Sequence, residues 1–224
     1  MKQTFFFVCS CYLIASCKAP RYSYVSPTMN TPTYSHAGEG QMGVQFGSAG
    51  LAGKGGIAIT QNININAWGS IFPESNNGYD SREAELSIGF QTTPSKHKSA
   101  TSFYIGMSTG RNEKDTIGLR GSFNRSFLQI QTAAFDQQLG EAYFDAFIGF
   151  RVNYLSYEGT KGTAPLNDYL FYYEPYFGVT AGGKNVRFEL LQGLAIKNSG
   201  EWGHGVRIFP WFGNVGVLVK LRKN

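Results

Sequence analysis

Beyond position 17 the 224-residue chain has no cysteine: its three are Cys9, Cys11 and Cys17. A fold stapled by disulfides needs pairs spread along the chain, so that class is excluded, and a CxxC metal site is absent. Charge is scarce as well. Asp, Glu, Lys and Arg make up 16% of the residues, against roughly a quarter in ordinary soluble domains. The Lys and Arg are scattered, with no basic stripe of the kind that neutralises a nucleic-acid backbone. The one apolar run, Thr4–Ala15, falls short of the ~20 residues a transmembrane helix requires. Glycine, by contrast, is abundant at 28 residues, and aromatics reach 15%. Each glycine in a helix costs about 1 kcal/mol relative to alanine, which disfavours a helical bundle. The aromatic content excludes disorder, and the glycines lack the period of collagen. What remains is β-structure with tight turns.

The N-terminus reads as a targeting segment. Lys2 precedes the apolar run, and Ile14-Ala15-Ser16-Cys17 has the form of a bacterial lipobox. Residues 1–16 are therefore expected to be a lipoprotein signal peptide, cleaved to leave Cys17 as the lipidated first residue. Lys2 is the only charge among those 16, so the mature chain keeps 19 basic and 15 acidic residues, a net charge of +4. Residues 17–38 carry Pro20, Pro27 and Pro32, which forbid regular helix and disfavour a central strand. The expectation is an extended tether from the lipid to a folded body at residues 39–224.

From Glu39 onward the pattern has period two. Ten segments alternate apolar with polar or small residues, as where Met42, Val44 and Phe46 oppose Gln41, Gly43 and Gln45. The second half is clearer: Ile148, Phe150 and Val152 oppose Gly149, Arg151 and Asn153. Segments near ten residues with this alternation are the signature of a transmembrane β-barrel. The expected fold is all-β, a closed antiparallel up-and-down barrel of about ten strands (eight to twelve). Ile117, Leu119 and Phe123, and Val206 with Ile208, read as strand extensions beyond the membrane.

A soluble barrel also alternates, and the polar face decides between the two. It carries Glu83, Glu85, Asp145, Arg151, Glu174, Arg187, Glu189 and Lys220 among many Gln, Asn, Ser and Gly. Small residues and mixed charges suit a narrow lumen, while the apolar face is free of charge over the strand centres. The eight are therefore expected to form a lumen charge network, Arg151 or Arg187 pairing with Glu85, Glu174 or Glu189. Tyr79, Tyr143, Tyr157, Tyr169, Trp202 and Trp211 fit aromatic belts near strand ends. Connections alternate too. Gln61-Asn62, Thr92–Ala100, Asp136–Glu141 and Gly182–Lys184 are compact. Pro73–Ser81, Asn112–Arg125, Glu158–Asp168 and Lys197–Gly205 are longer, with Gly50–Gly55 as the short member of their set. Barrels keep short turns in the periplasm and longer loops outside. Ten strands put both chain ends on one side, so Cys17 is expected on the periplasmic side of the outer membrane.

These residues resemble small outer-membrane β-barrel lipoproteins of Bacteroidota type. The resemblance rests on the lipobox, on Tyr24-Val25-Ser26-Pro27 through Pro32, on Gly38-Glu39, and on Glu174-Pro175 before Gly182-Gly183-Lys184 and Val186-Arg187-Phe188. It implies an outer-membrane location and no settled activity; Lys18-Ala19-Pro20-Arg21 lacks the acidic residues that mark surface export in that group. The resulting expectation is a non-enzymatic component with a structural, interaction or envelope-assembly role. Its partners are outer-membrane lipid and other envelope proteins, with no cofactor, no metal and no nucleic acid. Two alternatives differ in class. An omptin-like surface hydrolase would use His204 with Asp80, Asp115 or Asp168; His36 and His97 fall elsewhere. A rim-located binding protein would use Asn76, Asn77, Tyr79, Trp202 and Trp211. Gly50–Gly56 lacks a following GK[ST] and reads as a hairpin turn, not a phosphate cradle.

Overall fold

The computed structural model describes residues 24–25, 31–48, 50–72, 79–92, 98–198, 206 and 208–221. Ten antiparallel strands form one closed sheet: β1 (Gly40–Gly47), β2 (Gly50–Ala58), β3 (Ile63–Phe72), β4 (Tyr79–Gln91), β5 (Ser99–Lys114), β6 (Leu119–Leu139), β7 (Ala142–Lys161), β8 (Ala164–Gly182), β9 (Val186–Leu194) and β10 (Trp211–Leu221). Each pairs with its sequence neighbour, and β10 pairs with β1, Val217 opposite Val44, which closes the ring. Closure leaves no free edge around the part of the wall that all ten strands share, so the backbone polar groups there find ladder partners.

The wall is uneven. β1, β2, β3 and β9 have 8 to 10 residues, whereas β5 to β8 have 16 to 21. About 9–11 residues cross a bilayer, so the barrel has a low side and a tall side. Two expected long loops, Asn112–Arg125 and Glu158–Asp168, turn out to be mostly strand. The first closes through a short 3-10 turn, Asp115–Ile117, and the second through Gly162-Thr163. Gly118 ends that 3-10 turn at φ +60°, a left-handed conformation that costs glycine nothing. Leu119 and Phe123 are the strand extension that was expected; Ile117 lies in the turn. Gly50–Gly55 belongs to β2, and its hairpin turns earlier, at Gly47–Gly50. β6 continues through Asp136 to Leu139 with a register shift between Ala134 and Gln137.

The apolar stripes point out. Met107 is 67% exposed, Ile148 65% and Phe188 72%, a pattern that fits acyl chains as the outer solvent. Glycines and aromatics pair across strands on the inner face. Gly106 lies opposite Phe127, Gly149 opposite Tyr176, Gly178 opposite Phe147, and Gly193 opposite Phe212. In each pair the ring lies over the glycine: a Cβ on Gly106 would sit 2.4 Å from the Phe127 ring. The missing side chain makes room for the ring, which fills a narrow lumen.

Candidate functional site

All eight charged residues read from the polar face lie inside the barrel, none more than 7% exposed. Seven of them, all but Glu174, fall into local groups with Lys54, Arg125 and Asp136, three charges not assigned to the polar face from sequence. In the first group, Arg125 Nη2 reaches Glu83 at 2.8 Å and Glu85 at 2.6 Å. Arg151 Nη1 reaches Glu85 at 2.9 Å, and its guanidinium lies 3.9 Å from the centre of the Phe127 ring. In the second group, Arg187 bridges Asp136 and Asp145, and Lys220 Nζ reaches Asp145 at 2.9 Å. The third is the pair Lys54–Glu189 at 2.6 Å. Each group balances: two carboxylates against two guanidiniums, two carboxylates against one guanidinium and one ammonium, one against one. A buried charge is tolerable only when paired and hydrogen-bonded. Glu174 accepts a hydrogen bond from Asn153 Nδ2 at 2.9 Å.

Three features explain the missed residues. Lys54 and Arg125 stand in stretches read as loops, although their parity continues that of Ala52 and Phe127. Asp136 comes in through a bulge, at φ +52°, which reverses parity locally. Its backbone N–H donates to Asp145 Oδ1 at 2.7 Å. Arg187 therefore meets aspartates, not the glutamates expected.

A layer of different chemistry lies at the long-loop end. Leu119, Phe123, Leu155, Tyr157, Leu170 and Tyr172 converge with Tyr24, Ala195, Val206 and Ile208 in a dry cluster. Tyr79 and Tyr157 point inward, buried at 3% and 0% exposure, and so leave the aromatic belt. Tyr169 is 62% exposed, as a belt residue is. Tyr143 packs beside Arg187, 5.5 Å from guanidinium to ring centre, and Trp211 is half-buried.

Of the hydrolase candidates, His97 and His204 lie outside the described residues, as do Asn76, Asn77, Trp202 and Cys17; His36 is exposed. The carboxylates named with His204 are engaged. Asp80 lies 3.6 Å from Arg82, Asp115 lies 4.0 Å from Arg120, and Asp168 Oδ2 accepts from the Val206 N–H at 2.8 Å.

Residues 31–34, part of the segment expected to be an extended tether, lie in the lumen. Thr31, Thr33 and Tyr34 are buried. Tyr34 donates to Asn66 Oδ1 at 2.7 Å, and the Pro32 carbonyl accepts from Tyr104 at 3.3 Å and Gln131 at 3.2 Å.

Among solved structures the chain is similar to the β domain of the Bordetella autotransporter BrkA, at 12% identity over 84% of this chain and 78% of that one, TM-score 0.49. It is also similar to the translocator domain of the autotransporter NalP from Neisseria meningitidis, at 11% identity over 97% and 96%, TM-score 0.42. LpxR from Salmonella typhimurium matches at 10% identity over 81% and 99%, TM-score 0.37. No protein-family model and no curated protein matches the chain. At these distances no argument rests on the likenesses, and the fold stands on its own ladder: a closed ten-stranded antiparallel barrel.

Proposed function

We propose that the chain is an outer-membrane β-barrel lipoprotein of the small Bacteroidota-type group, lipidated at Cys17, with a non-enzymatic structural, interaction or envelope-assembly role. The observation that carries this reading is the lumen. Ten of its charged side chains pair in three balanced groups, rings from the wall cover the glycines, and residues 31–34 of the same chain lie inside. Such an interior serves packing better than transport. A diffusion porin uses about 16 strands to keep a water-filled channel, whereas ten strands enclose a space that side chains can fill. What the protein presents to partners is then its tall side, whose outer face turns polar above the membrane. Arg111, Glu113, Arg120 and Glu158 are exposed there, in a position to meet other envelope proteins.

Two measurements test this reading. The protein should fractionate with the outer membrane and run on gels with heat-modifiable mobility. Purified into planar bilayers, it should show no steady conductance; a stable open channel would replace the structural role with transport.

A further inference from the structure

We propose that the N-terminal segment is an eleventh crossing of the membrane, threaded through the barrel, so that Cys17 and its lipid lie on the same side as the long loops. The inference rests on the reading of the barrel as membrane-spanning.

The path can be followed backward from β1. Gly40 pairs with Leu221 and Ile57, at the end where the short turns are, and the Gly38 N–H donates to the Ala58 carbonyl at 2.7 Å. From there the chain turns inward. The Tyr34 carbonyl accepts from Gln91 Nε2 at 3.1 Å, beside the Gln61-Asn62 turn. Pro32 is held by β5 and β6 as described above. Thr33 approaches Asp145 on β7 at 3.5 Å, and Thr31 donates to Glu189 on β9 at 3.1 Å. With Asn66 on β3 and Gln91 on β4, six of the ten strands touch these few residues. A segment touched from so many sides runs along the barrel axis, not along the rim.

The other end of the path is Tyr24. It lies in the dry cluster at the long-loop end, edge-on to Phe123 with ring centres 5.0 Å apart. The Tyr172 hydroxyl donates to its hydroxyl at 3.3 Å. Tyr24-Val25 pair in parallel with Ile208-Phe209, just before β10 begins at the same end. Between Gly40 and Tyr24 the chain has therefore passed from the turn end to the loop end. Ten strands alone return both termini to one side; one further crossing reverses the N-terminal side.

Cys17 precedes Tyr24 by seven residues, which reach at most about 25 Å when extended. The low side of the wall, where the strands are shortest, is the route to lipid that the proposal takes. At its rim, beside the Gly47–Gly50 hairpin, Phe46 and Leu51 are exposed at 60% and 52%. The acyl chains on Cys17 would enter the leaflet on the long-loop side, which barrel convention makes the cell surface. Residues 31–34 are hydrogen-bonded to lumen-facing side chains, and Tyr24 sits in the dry cluster at the loop end, so the anchor is reached through the barrel and not around it.

The test uses the full-length precursor expressed in a Gram-negative host. Single cysteines are placed at Ala19→Cys, at Thr163→Cys in the β7–β8 turn, and at Glu141→Cys in the β6–β7 turn. A membrane-impermeant maleimide is applied to intact cells and then to cells with a permeabilised outer membrane. Ala19→Cys and Thr163→Cys should react in the same condition, and Glu141→Cys in the other. Reaction of Ala19→Cys together with Glu141→Cys would overturn the proposal. A second variant reads the threading directly. Val25→Cys with Phe209→Cys joins ladder partners; neighbouring strands lie about 4.8 Å apart, a spacing a disulfide can bridge, so the pair should oxidise and shift gel mobility until reduced. Absence of that disulfide in a protein that still fractionates with the outer membrane would also overturn it. If the protein fails to reach the outer membrane, the membrane reading falls, while the disulfide in purified protein still decides the threading.

Discussion

Strand β6 carries two opposite polarity patterns on one continuous ladder. Toward the turn end, Leu128 and Ile130 face outward, 61% and 42% exposed, while Gln129 and Gln131 face inward at 4% and 1%. Toward the loop end, Arg120, Ser122 and Asn124 face outward, while Phe123 and Leu119 are buried inside. β7 inverts in the same way, from outward Ile148 and Phe150 to outward Glu158 and Thr160, with Leu155 and Tyr157 inside. The boundary lies between Phe123 and Arg125. Pleating fixes which residues share a face; the surrounding solvent fixes which face is greasy. Where lipid surrounds the wall, charge retreats inside and must pair. Where water surrounds it, the inside goes dry, as in a soluble barrel. One barrel thus combines ion pairs with packed rings in one half and relies chiefly on apolar packing in the other.

That contrast can be broken from either side. The largest effect is expected for Arg125→Met, which leaves Glu83 and Glu85 without their shared cation. Removing one partner of a buried charge group costs about 3–5 kcal/mol. The thermal midpoint of the heat-modifiable gel transition in detergent should drop sharply; an unchanged midpoint would show that the lumen charges are not what holds the membrane half. Next comes Phe123→Ala in the dry cap, worth about 3 kcal/mol as a large-to-small core change. Its distinguishing sign is local: proteolysis at the loop end should rise while the membrane half stays folded. If both halves melt together, they are one cooperative unit and the division is only one of polarity. Gly106→Val pushes a side chain into the Phe127 ring and should cost about 1–3 kcal/mol by overpacking, read in the same gel assay; Gly106→Val paired with Phe127→Leu should recover part of it. The smallest effect belongs to Arg120→Ala on the outer face of the tall side. Its contacts at 4.0 Å to Glu113 and Asp115 are exposed, and such pairs contribute roughly 0–1 kcal/mol. A loss comparable with that of Arg125→Met would overturn the distinction between lumen and surface charge.

The same boundary explains what could be read from the chain alone. Across the membrane the period-two pattern is continuous and of one sense, so Glu83, Glu85, Asp145, Arg151, Glu174, Arg187, Glu189 and Lys220 could all be assigned to the polar face. Above it the sense reverses while the parity runs on. Residues 112–125 and 158–168 then look like polar loops with stray aromatics, and Arg125 was lost among them. Asp136 was illegible for another reason, since a bulge shifts parity by one and leaves no mark in the composition. The glycine–aromatic pairs depend on register: Gly149 and Tyr176 are 27 positions apart, and only the β7–β8 ladder sets one against the other.

Composition and alternation by themselves determined that this is an all-β barrel of about ten strands with a charged polar face, because a bilayer admits charge on one face of a strand only. Tertiary structure decided which charges meet, since ladder register and not sequence distance brings Arg187 to Asp136 and Asp145. It also decided where residues 31–34 lie. The prolines of residues 18–38 favour extended chain, and an extended chain satisfies its polar groups equally well in water or against the glutamines and carboxylates of a lumen. Only the closed barrel, with room on its axis and hydrogen-bond partners on six strands, distinguishes the two.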